Sequence, residues 1–332
     1  MGEPRCLTLG GSLDEQVRVL WRSQSRQWPM LREGIDHLRA AETRRFDVGG
    51  AQVVAQCNTA RIRSAAAQVD PTSLRERPCF LCEANLPPEQ QAIAYAGCWL
   101  ILCNPMPIFE PHLVLVTRDH QPQRLEPALD TLLTLARDLA GSFTVFYNGP
   151  QCGASAPDHL HLQASPAGAM PFENELAGAL CAERHSVTNH RWIDRLWTEP
   201  VQLGLGWSGY RPVVVMIGEQ ADALRAGLSR VLDALAQVQP ADPEPMVNLF
   251  ATFNANRWLI WLFPRRAHRP SCYGQEADCF LVSPGAADLG GLLMTPRPAD
   301  FKRIDAATIE TIYREILLTP DQFAALRDHL SA

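Results

Sequence analysis

The chain has 332 residues, 46% of them hydrophobic and 20% charged, and a formal charge of −6. Acids and bases are interspersed, so no basic stripe marks a nucleic-acid partner, and no apolar run approaches the roughly 20 residues of a membrane span. A core of this size forms without disulfide staples, and at roughly 150 residues per domain the length suits two domains or one large duplicated one.

The ten cysteines are scattered, several of them (Cys98, Cys103, Cys279) in apolar strand-like runs, where a thiol acts as a small hydrophobe. That usage fits a reducing cytoplasm. The first residues, "MGEPRCLTLGG", show neither a secretory signal pattern nor the Ser or Thr that myristoylation requires at the sixth position. A cytoplasmic protein without membrane or nucleic-acid partners is expected.

In chain order, "GSLDEQVRVLWRSQ" opens with a capping box, Ser12 with Glu15, and predicts a helical stretch continuing to about Ala41. "VGGAQVVAQCN" reads as turn and strand. "RPCFLCEANLPPEQ" is too interrupted for a regular element. "GCWLILCNP" and "HLVLVT" are β-rich runs separated by a proline-punctuated turn. "EPALDTLLTLARDLAG" carries Leu129, Leu132, Leu133 and Ala136 at helical spacing. "FTVFYNG", the turn "PQCGAS" and "HLHLQAS" then give two more strands. A weaker copy of the same order follows: strand 212–218, a long helix, "NLFATFN" and "RWLIWLFPR". Terminal helices are expected near 306–317 and 320–331, the second capped by Thr319 or Asp321. "GLGWSGYRP" between the copies reads as a linker, since its spacing is wrong for a dinucleotide fingerprint. The order implies a duplication divided into residues 1–203 and 204–332, with nothing like His-x-His in the second copy.

Strand alternation puts His159, His161 and Gln163 on one face and Leu160 and Leu162 in the core. Two imidazoles roughly 7 Å apart, beside a Gly/Ser-rich turn, point to chemistry. Cys79-x-x-Cys82 has the spacing to clamp one tetrahedral ion. Two further ligands would be needed; His120 and His159 lie downstream, with His112 and Asp119 as rivals. Arg61 and Arg63 flank an isoleucine, share a face if extended, and suit a polyphosphate. Arg265, Arg266 and His268 follow a strand and could meet an acceptor phosphate.

These segments together resemble the histidine-triad superfamily, in its nucleotidyltransferase and phosphorylase branch. "FYNG…GASAPDHLHLQ" is similar to the branch signature. "CFLC" and "LVLVTRDH" are similar to the zinc-ligand segments of the uridylyltransferases, and "CNTARIRS" to an arginine-bearing strand that holds the nucleotide. "NLFATFNANRWLIWLFPRR…DLGGLLMTPRPADF" resembles the second half of the dinucleotide and GDP-hexose phosphorylases. The resemblance implies an α+β fold of two HIT-like halves with antiparallel sheets and packed helices. It implies a transferase or phosphorylase acting on a nucleotide sugar or dinucleoside polyphosphate, with phosphate or a sugar 1-phosphate as acceptor. By position, His161 would be the nucleophile that forms a nucleotidyl-histidine, and Gln163 a hydrogen-bond donor to a phosphate oxygen. Asn148, Gly153, Ala154 and Ser155 would hold the same phosphates. Cys79, Cys82, His120 and His159 would hold a structural Zn2+. The hydrolases of the superfamily carry a third histidine where this chain has Gln163; glutamine exchanges no proton, which favours transfer over hydrolysis. A nucleotide hydrolase and a non-catalytic, zinc-stabilised nucleotide-binding protein are the alternatives. Dimers are common among the relatives, so a homodimer is compatible with the resemblance.

Overall fold

A computed structural model describes residues 5–67, 69–175, 194–239 and 242–331. Its strands, in chain order, are β1 (Arg5–Cys6), β2 (Glu42–Val48), β3 (Ala51–Cys57), β4 (Gln91–Tyr95), β5 (Trp99–Cys103), β6 (Leu113–Thr117) and β7 (Phe143–Asn148). They continue with β8 (His161–Pro166), β9 (Asp194–Trp197), β10 (Gln202–Ser208), β11 (Arg211–Gly218), β12 (Val247–Asn254), β13 (Arg257–Pro264) and β14 (Leu292–Met294). Eleven of them form one sheet in the order β1-β4-β5-β6-β8-β7-β12-β13-β11-β10-β9. Leaving aside the edge strand β1, β4-β5-β6-β8-β7 and β9-β10-β11-β13-β12, each read inward, are the same order. The halves join where β7 pairs antiparallel with β12, Asn148 opposite Asn248. The fold is thus α+β and built of two similar halves, as the element order implies.

Alternation along each strand sorts the core. Leu113, Leu115, Val145, Tyr147, Leu162, Leu249, Ile260 and Leu262 face one side. There they are covered by helices Leu13–Gln27, Pro29–Arg39, Leu129–Asp138, Ala221–Val238 and Pro320–Ser331. The opposite face carries two separate apolar patches. One packs Leu100, Leu102, Val114 and Val116 under the 79–86 segment. The other packs Val215, Phe250, Trp261 and Phe263 under helices of residues 286–316 and the small sheet β14-β3-β2.

Several expectations are revised. The N-terminal helix is two helices, because Pro29 starts the second and holds Trp28 extended (φ −100°, ψ 108°). "GLGWSGYRP" is no linker: it forms most of β10 and its turn into β11, paired from Gln202↔Ile217 to Ser208↔Arg211. A division at 203/204 therefore cuts a strand. β1, β2, β4, β9 and β14 are not anticipated by the sequence pattern: β2 ("ETRRFDV") is polar and exposed along most of its length, and the others are two to five residues long. Arg61 and Arg63 do not share a strand face. β3 ends at Cys57, Asn58 caps a 3-10 turn at Thr59–Arg61 by accepting from the Ala60 N–H, and a short helix follows at Ile62–Ala65. The local cap outcompetes continued pairing. The side chain of Arg63 lies outside the described residues. Ser12 and Glu15 make both bonds of the capping box, and Thr319 caps the last helix through its Oγ1 to the Gln322 N–H. Among the described residues, no helix is long and apolar enough to cross a membrane.

Candidate functional site

A cavity of about 1000 Å³ opens between the two apolar patches. Its floor is the sheet, through Val114, Phe146, Asn148, His161 and Gln163. Its walls come from the segments 61–87, 153–155 and 283–288. Both halves and the N-terminal segment therefore contribute to one enclosure, of a size suited to a nucleotide-bearing ligand.

Hydrogen bonds decide which atoms face it. The Nδ1 of His161 lies 2.8 Å from the His159 carbonyl oxygen. A carbonyl only accepts, so Nδ1 carries the proton and Nε2 keeps its lone pair. Burial lowers the His161 pKa to about 4, against the opposing pull of that carbonyl. The ring is neutral near pH 7. Gln163 is oriented by a second histidine. His112 accepts the Ile108 N–H at Nδ1 (3.3 Å), so its Nε2–H donates to Gln163 Oε1 at 2.9 Å. That leaves the Gln163 amide hydrogens for the cavity. Burial first, and the Arg61 charge second, lower the His112 pKa to about 3. Asn148 is fixed in the same way: its Oδ1 accepts from Asn248 Nδ2 and the Ala286 N–H, both at 2.7 Å, and its own NH₂ has no partner among the described residues. Gln123 ties the two strand ends together, donating to the Asn148 and His161 carbonyls and accepting from the His161 N–H.

The turn 153–155 lies against the second half. Gly153 has φ +89°, and a Cβ there would sit 2.5 Å from Gly285 Cα and 2.7 Å from the Pro284 carbonyl oxygen. Only glycine permits that approach. Ala154 and Ser155 line the cavity beside it. Arg77 holds the turn by donating to the Ser155 carbonyl (3.1 Å) and to Asp158 (3.2 Å).

Behind His161, the candidate ligand atoms of Cys79, Cys82, His120 and His159 lie within 4.8 Å of one another. This cluster could hold a metal ion. The separations are 3.4 Å from Cys79 Sγ to His159 Nδ1, 3.6 Å from Cys82 Sγ to the same atom, and 3.2 Å from Cys82 Sγ to His120 Nδ1. Tetrahedral coordination at metal–sulfur and metal–nitrogen lengths of about 2.3 and 2.0–2.1 Å spaces S and N by about 3.6 Å. The donor set fits. His159 Nε2 donates to the Thr117 carbonyl at 2.7 Å, so Nδ1 is left as ligand in the tautomer such sites need. His112 is engaged with Gln163 and is not part of the cluster.

Two predicted residues are placed elsewhere. Arg265 is fully buried and spends its guanidinium on Asn248 Oδ1 and the carbonyls of Pro284, Ala267 and His268. It supports Asn148 and the 153–155 turn from behind and does not line the cavity. Arg266 is exposed and donates to the carbonyls of Leu317 and Arg314. A charge after a strand was the only signal for both, and the strand's end carried them into carbonyl-rich turns. Arg61, by contrast, does line the cavity, donating to the Met106 carbonyl and Ser64 Oγ. Arg77, His112 in its role toward Gln163, Gln123 and Arg269 were missed. Each sits in an irregular segment with no periodicity to single it out.

This arrangement shares its fold with yeast Ap4A phosphorylase. Yeast Ap4A phosphorylase in complex with Ap4A is 18% identical, with a TM-score of 0.58 over 94% of this chain and 99% of that one. The same enzyme with AMP is 17% identical, with a TM-score of 0.58 over 94% and 98%. Its structure described without a ligand gives 18% identity and 0.56 over 87% and 97%. A domain of unknown function, DUF4922, matches residues 20–166. No curated protein matches the chain significantly.

Proposed function

We propose that the chain is a nucleotidyltransferase of the phosphorylase type, acting on a dinucleoside polyphosphate or a nucleotide sugar through a nucleotidyl-histidine. The observation that carries this reading is the tautomer of His161: Nδ1–H is committed to the His159 carbonyl, so the unprotonated Nε2 belongs to a buried, neutral ring on the cavity floor. Nε2 attacks the α-phosphorus, the P–N bond forms, and the sugar 1-phosphate or nucleotide leaves with the electron pair of the broken P–O bond. The Gln163 and Asn148 amides, with N–H groups of the 153–155 turn, stabilise the charge on the phosphoryl oxygens. Arg61 meets the polyphosphate. The likeness to Ap4A phosphorylase over nearly the whole of both chains supports the reading, as does glutamine in place of a third proton-exchanging histidine. The metal would be a structural Zn2+: four protein ligands close the site, which anchors the strand start from which His161 projects. The first half thus carries the chemistry and the second completes the pocket.

The test is incubation with α-labelled nucleotide sugars and dinucleotides, then acid and base treatment. An acid-labile, base-stable label is expected, discharged by phosphate and abolished in His161→Ala, with turnover down on the order of 10⁴-fold or more. Phosphate-independent release of nucleoside monophosphate would mark a hydrolase instead. No label with any nucleotide would sink the covalent reading.

A further inference from the structure

The cavity wall supplied by the second half contains one arginine that the reading above does not use. Arg269 lines the cavity with His268 and Ser283. Its guanidinium is held from three sides: Nε donates to Ser283 Oγ at 3.1 Å, Nη2 to the Ala67 carbonyl at 2.9 Å, and Cζ stacks 4.1 Å from the centre of the Tyr273 ring. Tyr273 in turn donates from its hydroxyl to the Ala65 carbonyl. Nη1 has no hydrogen-bond partner among the described residues, and neither ring nitrogen of His268 has one. Across the same space stands Arg61. Neither Arg61 nor Arg269 forms an ion pair with a carboxylate among the described residues. The acidic groups on the lining are Glu76 and Asp288. Glu76 is exposed, and both Asp288 oxygens are occupied by the N–H groups of Gly285 and Met294.

A half-buried guanidinium that is fixed in place, lacks a carboxylate partner and keeps one edge free is set to bind an anion. The phosphorus attacked by His161 is served by the Gln163, Asn148 and 153–155 groups. The Arg269 group lines the same cavity, is contributed by the other half, and is pre-organised with one edge open.

We propose that Arg269, with Ser283 and His268, forms the acceptor subsite and binds a phosphate dianion, either orthophosphate or a phosphomonoester, for the second half of the reaction. This rests on the nucleotidyl-histidine reading. A deprotonated oxygen of the bound phosphate attacks the nucleotidyl phosphorus, the new P–O bond forms as the P–N bond breaks, and the electron pair of the P–N bond returns to Nε2 of His161. Orthophosphate thereby yields a nucleoside diphosphate, and no further proton donor or oxidant is needed. Arg269 stands where the sequence pointed to Arg265 and Arg266, which the fold spends on backbone carbonyls.

Two measurements test this. Equilibrium dialysis of the resting protein with ³²P-orthophosphate should show binding that weakens about 10- to 100-fold in Arg269→Gln, the scale of a charged hydrogen-bonding fork. Arg269→Lys should fall between, and Ser283→Ala should weaken binding less. Glucose 1-phosphate added as competitor separates the sources: displacement of orthophosphate means that the subsite accepts a phosphomonoester too, and no displacement restricts it to orthophosphate. In single-turnover assays, the phosphate concentration that half-saturates discharge of the labelled enzyme should rise at least tenfold in Arg269→Gln. A half-saturating phosphate concentration unchanged in Arg269→Gln would overturn the proposal, as would phosphate binding indifferent to Arg269→Gln and Ser283→Ala in folded protein. Absence of any label would fall on the nucleotidyl-histidine reading, while the dialysis still decides the subsite.

Discussion

The two halves share a strand order and differ in what they do with it. In the first, the inner strand β8 presents His161 and Gln163 on the face away from the helices. The second half's inner strand, β13, presents Trp261 and Phe263 there instead, and these sink into the second apolar patch. Phe263 stacks 4.7 Å from Phe172 and 5.8 Å from Phe250. Of the fully buried cations of the second half, Arg265 is spent on Asn248 and backbone carbonyls, and Arg211 is committed to Leu289, Ser208 and Glu175. One copy keeps its face open for polar chemistry and is braced by the Cys/His cluster; the other closes that face into a hydrophobic core and lends its loops to the rim. The two halves share the frame, and the residue type at every second position decides which face stays polar and which closes.

Three changes would break or sharpen this contrast. The largest effect is expected at the Cys/His cluster. Structural zinc contributes apparent binding energies of about 10–16 kcal/mol in small domains, so Cys79→Ser or Cys82→Ser should lower the thermal midpoint severely and empty the site, as read by calorimetry and metal analysis. Unchanged stability with no stoichiometric zinc in the wild type would remove the brace from the first half.

Next comes Phe263→Ala, a cavity in the second half's core. It should cost about 3–5 kcal/mol in denaturant unfolding, while the active fraction still labels at His161. A loss of labelling without a loss of stability would show that the second half takes part in the first chemical step.

The smallest effect is expected from His112. Its pKa is depressed from 6.5 to about 3 in the folded chain by burial. Between those values the unfolded chain binds a proton that the native chain refuses. The contribution is therefore fully present above pH 6.5 and is lost as pH falls toward 3, by about 1.4 kcal/mol per pH unit. His112→Asn should flatten the pH dependence of urea unfolding between pH 6 and 4 by about that slope. An unaltered slope would mean that His112 is not held neutral beside Gln163.

Much of the first half was legible in the sequence, because alternation in "HLHLQ" and the Cys-x-x-Cys spacing are local and periodic. The pairing of "CFLC" with His120 and His159 followed from resemblance to a family and not from spacing, which left His112 equally placed. The arginines were the hardest to read. A guanidinium reaches far, and a charge next to a strand says nothing of whether its five donors will meet a ligand or a neighbouring carbonyl. So Arg61 came to the cavity by way of a capped turn and not a strand, and Arg265 became a buried support.

By itself, then, the sequence determined most of the strand and helix order, which side chains turn inward, and the presence of His161 and Gln163 on one face; His159, expected beside them, lies in the bend before β8 and turns to the Cys/His cluster. Those properties depend on near neighbours and on the two periodicities of the backbone. Tertiary structure alone decided the rest: which nitrogen of each imidazole is free, that His112 orients Gln163, that Gly153 must yield to Gly285, and that Arg269 rather than Arg265 lines the cavity. Each depends on contacts between residues tens to hundreds of positions apart, whose hydrogen-bond partners exist only once the two halves share a sheet.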